Sequence, residues 1–315
     1  MTDPNRKYKV LFVDDEPRVT NALKAIFRRE YDVFIANSGA QALKLLSNQS
    51  VDVIVSDQRM PEMLGNELLA AVSTHYPQTM RILLTGFMDR EAIVNSINDG
   101  EVFRFINKPW NNDEMREVIA EAALASETPA ETFSNIAPKL ATGNDEVDLA
   151  ALPKIDGDPA LLMMEQGKST RTKIRKFCSA QDIMIYGTQN IDQAVAAATS
   201  RKSIGVAVIE LTKDNSTALQ TINLLKQARP ELIAIALTDE YDADTAVELI
   251  NRGQVFKYLS KPLDIGGFQK AIHNAFQRHN YLKQHKEATK RFRVEQTKGN
   301  IATNLQSLFS RLIGA

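Results

Sequence analysis

Several apolar runs in this chain stop abruptly at residues that could do chemistry. Val10-Leu11-Phe12-Val13 runs into Asp14-Asp15-Glu16, and Val51 to Ser56 ends at Asp57 before the charged turn Gln58-Arg59-Met60-Pro61. Arg81-Ile82-Leu83-Leu84 ends at Thr85-Gly86, and Phe103 to Asn107 ends at Lys108-Pro109. Short β-branched runs bounded by polar turns read as buried parallel strands. Ligands of open α/β sheets bind at the carboxyl edge of such strands. Three carboxylates meeting there repel one another unless a cation lies between them. Few, hard oxygen ligands suit Mg²⁺, which commonly bridges to phosphate. A carboxylate can act as the nucleophile that takes a phosphoryl group, and that transfer needs mainly positioning and charge neutralisation. A lysine adds to the neutralisation, and a threonine hydroxyl can hydrogen-bond a phosphoryl oxygen. Any one of these residues alone reads as an ordinary strand-end polar group; the ordered set carries the inference.

The elements that must position them alternate. Strands are expected over Tyr8–Val13 and Tyr31–Ala36 and before Asp57, Thr85 and Lys108. Helices are expected from Pro17, with apolar face Val19, Leu23, Ile26 and Phe27, and over Ala40–Leu46, Glu67–Val72, Asp89–Ile97 and Asp113–Leu124. Five strand–helix pairs give a parallel sheet with helices on both faces.

Acid pair, single acid, hydroxyl and lysine, in this order and each at a strand end, resemble the receiver domain of two-component response regulators over residues 1–126. The resemblance implies that Asp57 is the phospho-acceptor, that Asp14, Asp15 and Asp57 hold Mg²⁺, that Thr85 senses the phosphoryl group and that Lys108 is its counter-ion. It implies a cis bond before Pro109, a glycine at Gly65, and an aromatic switch at Phe105; the alternative for Phe105 is a plain core residue. Ser56 to Pro61 and Asn107 to Trp110 are similar in wording to receivers that precede HD-GYP phosphodiesterases, but the His-Asp and Gly-Tyr-Pro motifs of that output domain are absent from the sequence.

Residues 127–158 read as a linker, with Pro129, Pro138 and Pro153 among Ser, Thr, Asn, Asp and Glu. The sequence then repeats. Ile97 to Pro109 has its counterpart in Ile250 to Pro262, an offset of 153 (261 − 108 for the lysines) at which Thr85 meets Thr238 and Asp57 meets Glu210. An offset smaller by two sets Glu165-Gln166 against Asp14-Asp15. The acid pair is therefore halved, and Glu210 is one methylene longer than aspartate, which moves its carboxylate off in-line geometry. Residues 159–282 accordingly read as a pseudo-receiver with a degenerate site of Glu165, Glu210, Thr238 and Lys261, in which Lys261 can pair with Glu210. Gly167-Lys168-Ser169-Thr170 imitates a phosphate loop but lacks its upstream glycine, position 162 being Leu162; the repeat makes it a helix start like Pro17.

The last helix, expected from near Gly267, runs into residues 283–315. Lys283, Lys286, Lys290, Arg291, Arg293 and Lys298 outnumber Glu287 and Glu295 there, which reads as a solvated face. Ile301, Leu305, Leu308, Phe309, Leu312 and Ile313 space an amphipathic helix that either folds back or docks on a partner.

The fold class expected is α/β: two doubly wound (βα)5 flavodoxin-like parallel-sheet domains with a C-terminal helical extension. With 315 residues and a net charge of −1, the chain suits two domains and shows no overall basicity for nucleic acid. Its single cysteine, Cys178, precludes an intramolecular disulfide. No apolar run approaches the ~20 residues that span a bilayer, and a cytoplasmic setting is expected. The function expected is that of a response regulator in a phosphorelay, with no enzymatic activity beyond receiver-type self-phosphorylation and autodephosphorylation. Its expected partners are a sensor histidine kinase or phosphotransfer protein and a downstream protein, with no DNA-binding domain, no membrane, and a homodimer left open. The competing reading is an adaptor that senses a nucleotide or second messenger through the pseudo-receiver.

Overall fold

The computed structural model describes residues 6–86, 102–128, 155, 157–212, 215–239, 243–253 and 255–292. The expected Asp89–Ile97 helix, most of the linker, the end of the basic extension and the amphipathic stretch Ile301–Ile313 lie outside these residues.

In the first domain the strands are β1 (Lys9–Val13), β2 (Asp32–Ala36), β3 (Val53–Asp57), β4 (Met80–Thr85) and β5 (Arg104–Asn107), all parallel, in the spatial order β2-β1-β3-β4-β5. Helices Pro17–Phe27, Gly39–Leu46, Gly65–His75 and Asn112–Ser126 pack around the sheet. β3 and β4 are buried along their whole length, which is why they read as unbroken apolar runs, while the edge strand β2 is partly exposed. Phe12 and Phe27 pack in the core with ring centroids 5.3 Å apart and planes tilted by 35°. Burying each such side chain contributes about 1.5–3 kcal/mol. Helix starts are fixed by polar caps: Ser38 accepts from the Gln41 amide at 3.2 Å, and Asn111 from the Asp113 amide at 2.8 Å. The third helix is longer at both ends than the expected Glu67–Val72; at its start Glu67 reaches back to the Leu64 amide (2.9 Å) and holds the first turn.

The second domain has strands β6 (Ala160–Met164), β7 (Met184–Gly187), β8 (Ile204–Glu210), β9 (Ile233–Thr238) and β10 (Lys257–Ser260) in the order β10-β9-β8-β6-β7, again all parallel. Read from the other edge, this is the first sheet's order. The offset is 151 from Lys9 to Ala160 and from Ala36 to Gly187, and 153 from Asp57 to Glu210 and from Met80 to Ile233. The two extra residues therefore enter between Gly187 and Glu210, a span in which the β6–β8 register also skips Gly205. Helix Lys168–Ala180 starts at the lysine of the imitation phosphate loop, confirming that segment as a helix start.

The last helix spans Ile265–Gln284, capped by Asp264 onto the Gly267 amide at 2.7 Å, two residues earlier than expected. It does not run on unbroken: His285 leaves the helical conformation and a 3₁₀ segment follows over Lys286–Phe292. Packing continues past Leu282 to Ala288, which joins the second core. Cys178 is buried in that core, and burial pushes its thiol up to about 12, so it is chemically quiet. Among the described residues, no helix is long and apolar enough to cross a membrane.

Candidate functional site

The strand ends of the first sheet bring the chemistry together. The Asp14 amide bonds to the Ala36 carbonyl (3.3 Å), and the Asp14 carboxylate accepts from the Glu16 amide (2.9 Å), which fixes the turn after β1. Asp57 closes β3, and its carboxylate accepts from the Arg59 amide at 3.2 Å. Gln58 holds the following turn through Asn66, donating to its side chain at 2.9 Å and accepting from its amide at 3.1 Å. Gly65 shows why a glycine stands there: a Cβ would lie 2.1 Å from the Asp57 carbonyl oxygen, which is backbone and cannot give way.

Asp14, Asp15 and Asp57 each present a carboxylate oxygen within 4.8 Å of the others, and they form the one such group of metal-ligating side chains among the described residues. Asp14 and Asp57 are buried. The Lys108 ammonium sits 2.7 Å from Asp57 and 3.3 Å from Asp14, while its amide bonds to the Thr85 carbonyl at 2.8 Å. Burial pushes the Asp57 carboxyl up and the charge of Asp14 adds to this, against the pull of Lys108. For Lys108, burial alone would lower the ammonium, but Asp57 and Asp14 outweigh it and raise it. One lysine thus leaves two buried acids and a third, more exposed one undercompensated. Hard oxygen donors clustered in this way fit Mg²⁺. The Lys108–Pro109 peptide is cis, as the sequence led one to expect.

The family of response regulator receiver domains matches residues 10–120. Residues 10–120 are a response regulator receiver domain. The hydrogenase transcriptional regulatory protein HoxA of Cupriavidus necator is 36% identical over 121 residues, covering 38% of this chain and 25% of that protein. The DNA-binding transcriptional regulator NtrC of Proteus hauseri is 34% identical over 118 residues, covering 37% of this chain and 25% of that protein. A crystal structure of the signal receiver domain of an HD domain-containing protein from Pseudomonas fluorescens Pf-5 shares 33% identity, covers 40% of this chain and 94% of that one, and superposes with a TM-score of 0.39. The chain spans about a quarter of the length of these curated relatives. They correct one expectation. No overall basicity was seen and no DNA-binding domain was expected, yet these two curated relatives are transcriptional regulators, one of them DNA-binding by name. A recognition helix is a surface helix with a few basic and polar residues, so failing to see one in a sequence decides little.

Around the receiver's acids, the structure places Thr85 and Phe105 on β4 and β5, both buried. Phe105 pairs in register with Leu83 and lies inside the core. Trp110 was not singled out by the sequence; its ring lies 5.8 Å from the Lys108 ammonium, and the nearby Lys-Pro-Trp wording is its only signal.

The equivalent edge of the second domain is arranged differently. The Lys261 ammonium contacts the Glu210 carboxylate and lies 3.0 Å from Glu165 and 3.6 Å from Asp239. Asp239 was missed, although the same 153-residue offset sets it against Gly86. The Glu165 carboxylate accepts from the Gly167 amide at 2.8 Å, as Asp14 does from Glu16. The extra methylene of Glu210 carries its other oxygen to the Gln166 amide at 2.8 Å, at the position that Asp15 holds in the first domain. Burial raises Glu165 against the pull of Lys261; burial would lower Lys261, but Glu210 and Glu165 outweigh it and raise it. The Lys261 side chain is 8% exposed against 32% for Lys108, so this ammonium is sealed among its carboxylates. Thr238 is buried at the end of β9, and its carbonyl accepts from the Lys261 amide at 2.7 Å. The Lys261–Pro262 peptide is cis as well.

Proposed function

We propose that the chain is a response regulator of a two-component phosphorelay, in which Asp57 takes a phosphoryl group from a histidine kinase. The observation that carries this reading is the meeting of Asp14, Asp15 and Asp57 within 4.8 Å, with Lys108 2.7 Å from Asp57, at the carboxyl edge of a receiver sheet. A carboxylate oxygen of Asp57 attacks phosphorus as the phosphorus–nitrogen bond of the donor breaks, and the electron pair leaves with the imidazole nitrogen. Asp14, Asp15 and Asp57 would hold Mg²⁺, which when bound neutralises phosphoryl charge. Lys108 stays beside Asp57 as the counter-charge to the acyl phosphate. Thr85, one residue past the Asp57–Leu84 register pair, offers its hydroxyl to a phosphoryl oxygen, and Phe105 follows the movement of Thr85 on the neighbouring strand. Autophosphorylation from the donor and autodephosphorylation are the only reactions in this reading.

The second domain serves in this reading as a degenerate receiver. Glu210 is one methylene longer than Asp57, and its hold on Lys261 and on the Gln166 amide sets its carboxylate off in-line geometry. It passes on the receiver's state by contact and not by chemistry. A small phosphodonor such as acetyl phosphate with Mg²⁺ should label the full chain once, at Asp57. Label in Asp57→Asn equal to wild type would refute the assignment.

A further inference from the structure

The second domain holds a cleft that receiver chemistry does not use. It has a volume of about 690 Å³ and lies at the carboxyl ends of β6, β7 and β8. The chain leaves β6 toward β7 on one side and β8 toward β9 on the other, so this is the switch point of the sheet, where diverging loops open a crevice. One wall is apolar, with Met163 and Ala218. Three features of the rest call for a ligand. Arg171 and Arg175 stand one turn apart on helix Lys168–Ala180, and neither has a hydrogen-bond or ion-pair partner among the described residues. The Thr188 hydroxyl is buried without a partner. Glu165, 5% exposed, keeps one carboxylate oxygen in use by Lys261 and Gly167, while the other, Oε2, is buried with no partner. Buried polar atoms left unpaired are costly and uncommon.

We propose that this cleft binds a phosphorylated small molecule of nucleoside-monophosphate size, with its phosphate on Arg171 and Arg175 and a hydroxyl or amino donor on Glu165 Oε2. Paired guanidinium groups match a phosphate dianion through several parallel N–H donors. A carboxylate oxygen only accepts, so the group that meets it must donate, as a sugar hydroxyl or a base amino group does. The volume falls within the range of small-ligand sites. A bare divalent cation fits poorly, because two arginine guanidinium groups face this space and, among the described residues, no three carboxylates gather here as Asp14, Asp15 and Asp57 do in the first domain. The proposal is independent of the chemistry at Asp57.

The test is calorimetric titration of the full chain, without Mg²⁺, using adenosine and guanosine monophosphates, adenosine and inorganic phosphate. At least one nucleotide should bind, roughly tenfold or more tightly than adenosine or phosphate. The Arg171→Ala, Arg175→Ala double variant should lose that margin, and Glu165→Gln should weaken binding while circular dichroism reports an intact fold. Asp57→Asn should bind as wild type does, which separates this site from the receiver's. Absence of binding by both nucleotides, equal binding of adenosine or phosphate, or unchanged affinity in the double arginine variant would each overturn the proposal.

Discussion

At the scale of single residues, the receiver's site is an electrostatic problem only partly solved by its own lysine. Asp57 is buried beside Asp14, and the folded chain holds its carboxyl above the ordinary range. For such an acid the protonated form favours folding: the contribution is present below the unfolded aspartate range near pH 4 and is lost as pH rises through the folded value. At pH 7 without metal, Asp57→Asn should therefore stabilise the receiver, as measured by a higher urea midpoint. A loss of stability would mean that the ion pair with Lys108 outweighs the burial of the acid. Gly65 is the companion case. The 2.1 Å approach of a Cβ to the Asp57 carbonyl leaves no room for any side chain, so Gly65→Ala should cost about 1–3 kcal/mol and slow labelling of Asp57 by acetyl phosphate. Labelling at the wild-type rate would show that the turn absorbs the methyl without moving the acid.

At the scale of elements, the long helix Ile265–Gln284 is anchored by a buried histidine against a glycine in β8. A Cβ on Gly205 would lie 2.5 Å from the His279 ring, whose Nδ1 is 2.9 Å from the Glu231 carbonyl. The ring cannot swing away without giving up that hydrogen bond, so Gly205→Ala should destabilise the second domain by about 1–3 kcal/mol. Burial lowers the His279 imidazole below its usual value, and the Arg229 guanidinium adds to this against the pull of Glu231. Burial lowers His273 too. The folded chain thus resists protons that the unfolded chain accepts. Stability is full above the unfolded histidine value near 6.5 and falls as pH drops below it, by at most about 1.4 kcal/mol per pH unit for each histidine. Subtracting the pH profile of His279→Asn from that of wild type isolates the one group from the carboxylates that titrate lower. Parallel profiles between pH 6.5 and 5 would exclude His279 as a source of acid sensitivity.

Over the whole molecule, the two sheets share an order of strands and differ in how charge is balanced at one edge. In the first, three carboxylates meet within 4.8 Å beside a lysine that is a third exposed; in the second, a lysine 8% exposed holds Glu165 and Glu210, and no such three-carboxylate group forms among the described residues. Mg²⁺ added to the full chain should therefore slow hydrogen exchange at amides of β1, β3 and β4 and leave those of β6, β8 and β9 unchanged, since an ion stabilises only what binds it in the native state. Equal protection of both sheets would mean that the second edge also holds the ion.

The strand pattern, the acid–acid–hydroxyl–lysine order and the 153-residue repeat were legible in the sequence, because a buried parallel strand must be a short apolar run and its carboxyl end must be polar. Those two facts were enough for the fold class and for the residues that meet in the receiver. Helix ends were read less well, because Glu67 and Asp264 cap through local hydrogen bonds that apolar spacing does not reveal. What the tertiary structure decided was contact at a distance along the chain. It carried the Glu210 carboxylate to the Gln166 amide, brought Asp239 to Lys261, closed Gly65 onto Asp57, and opened the cleft that Arg171, Arg175, Thr188 and Glu165 share. Each of these depends on side-chain length and on the divergence of loops at the sheet's switch point. A sequence records which residues stand at strand ends, but not how far their side chains reach or which of their polar atoms are left without a partner.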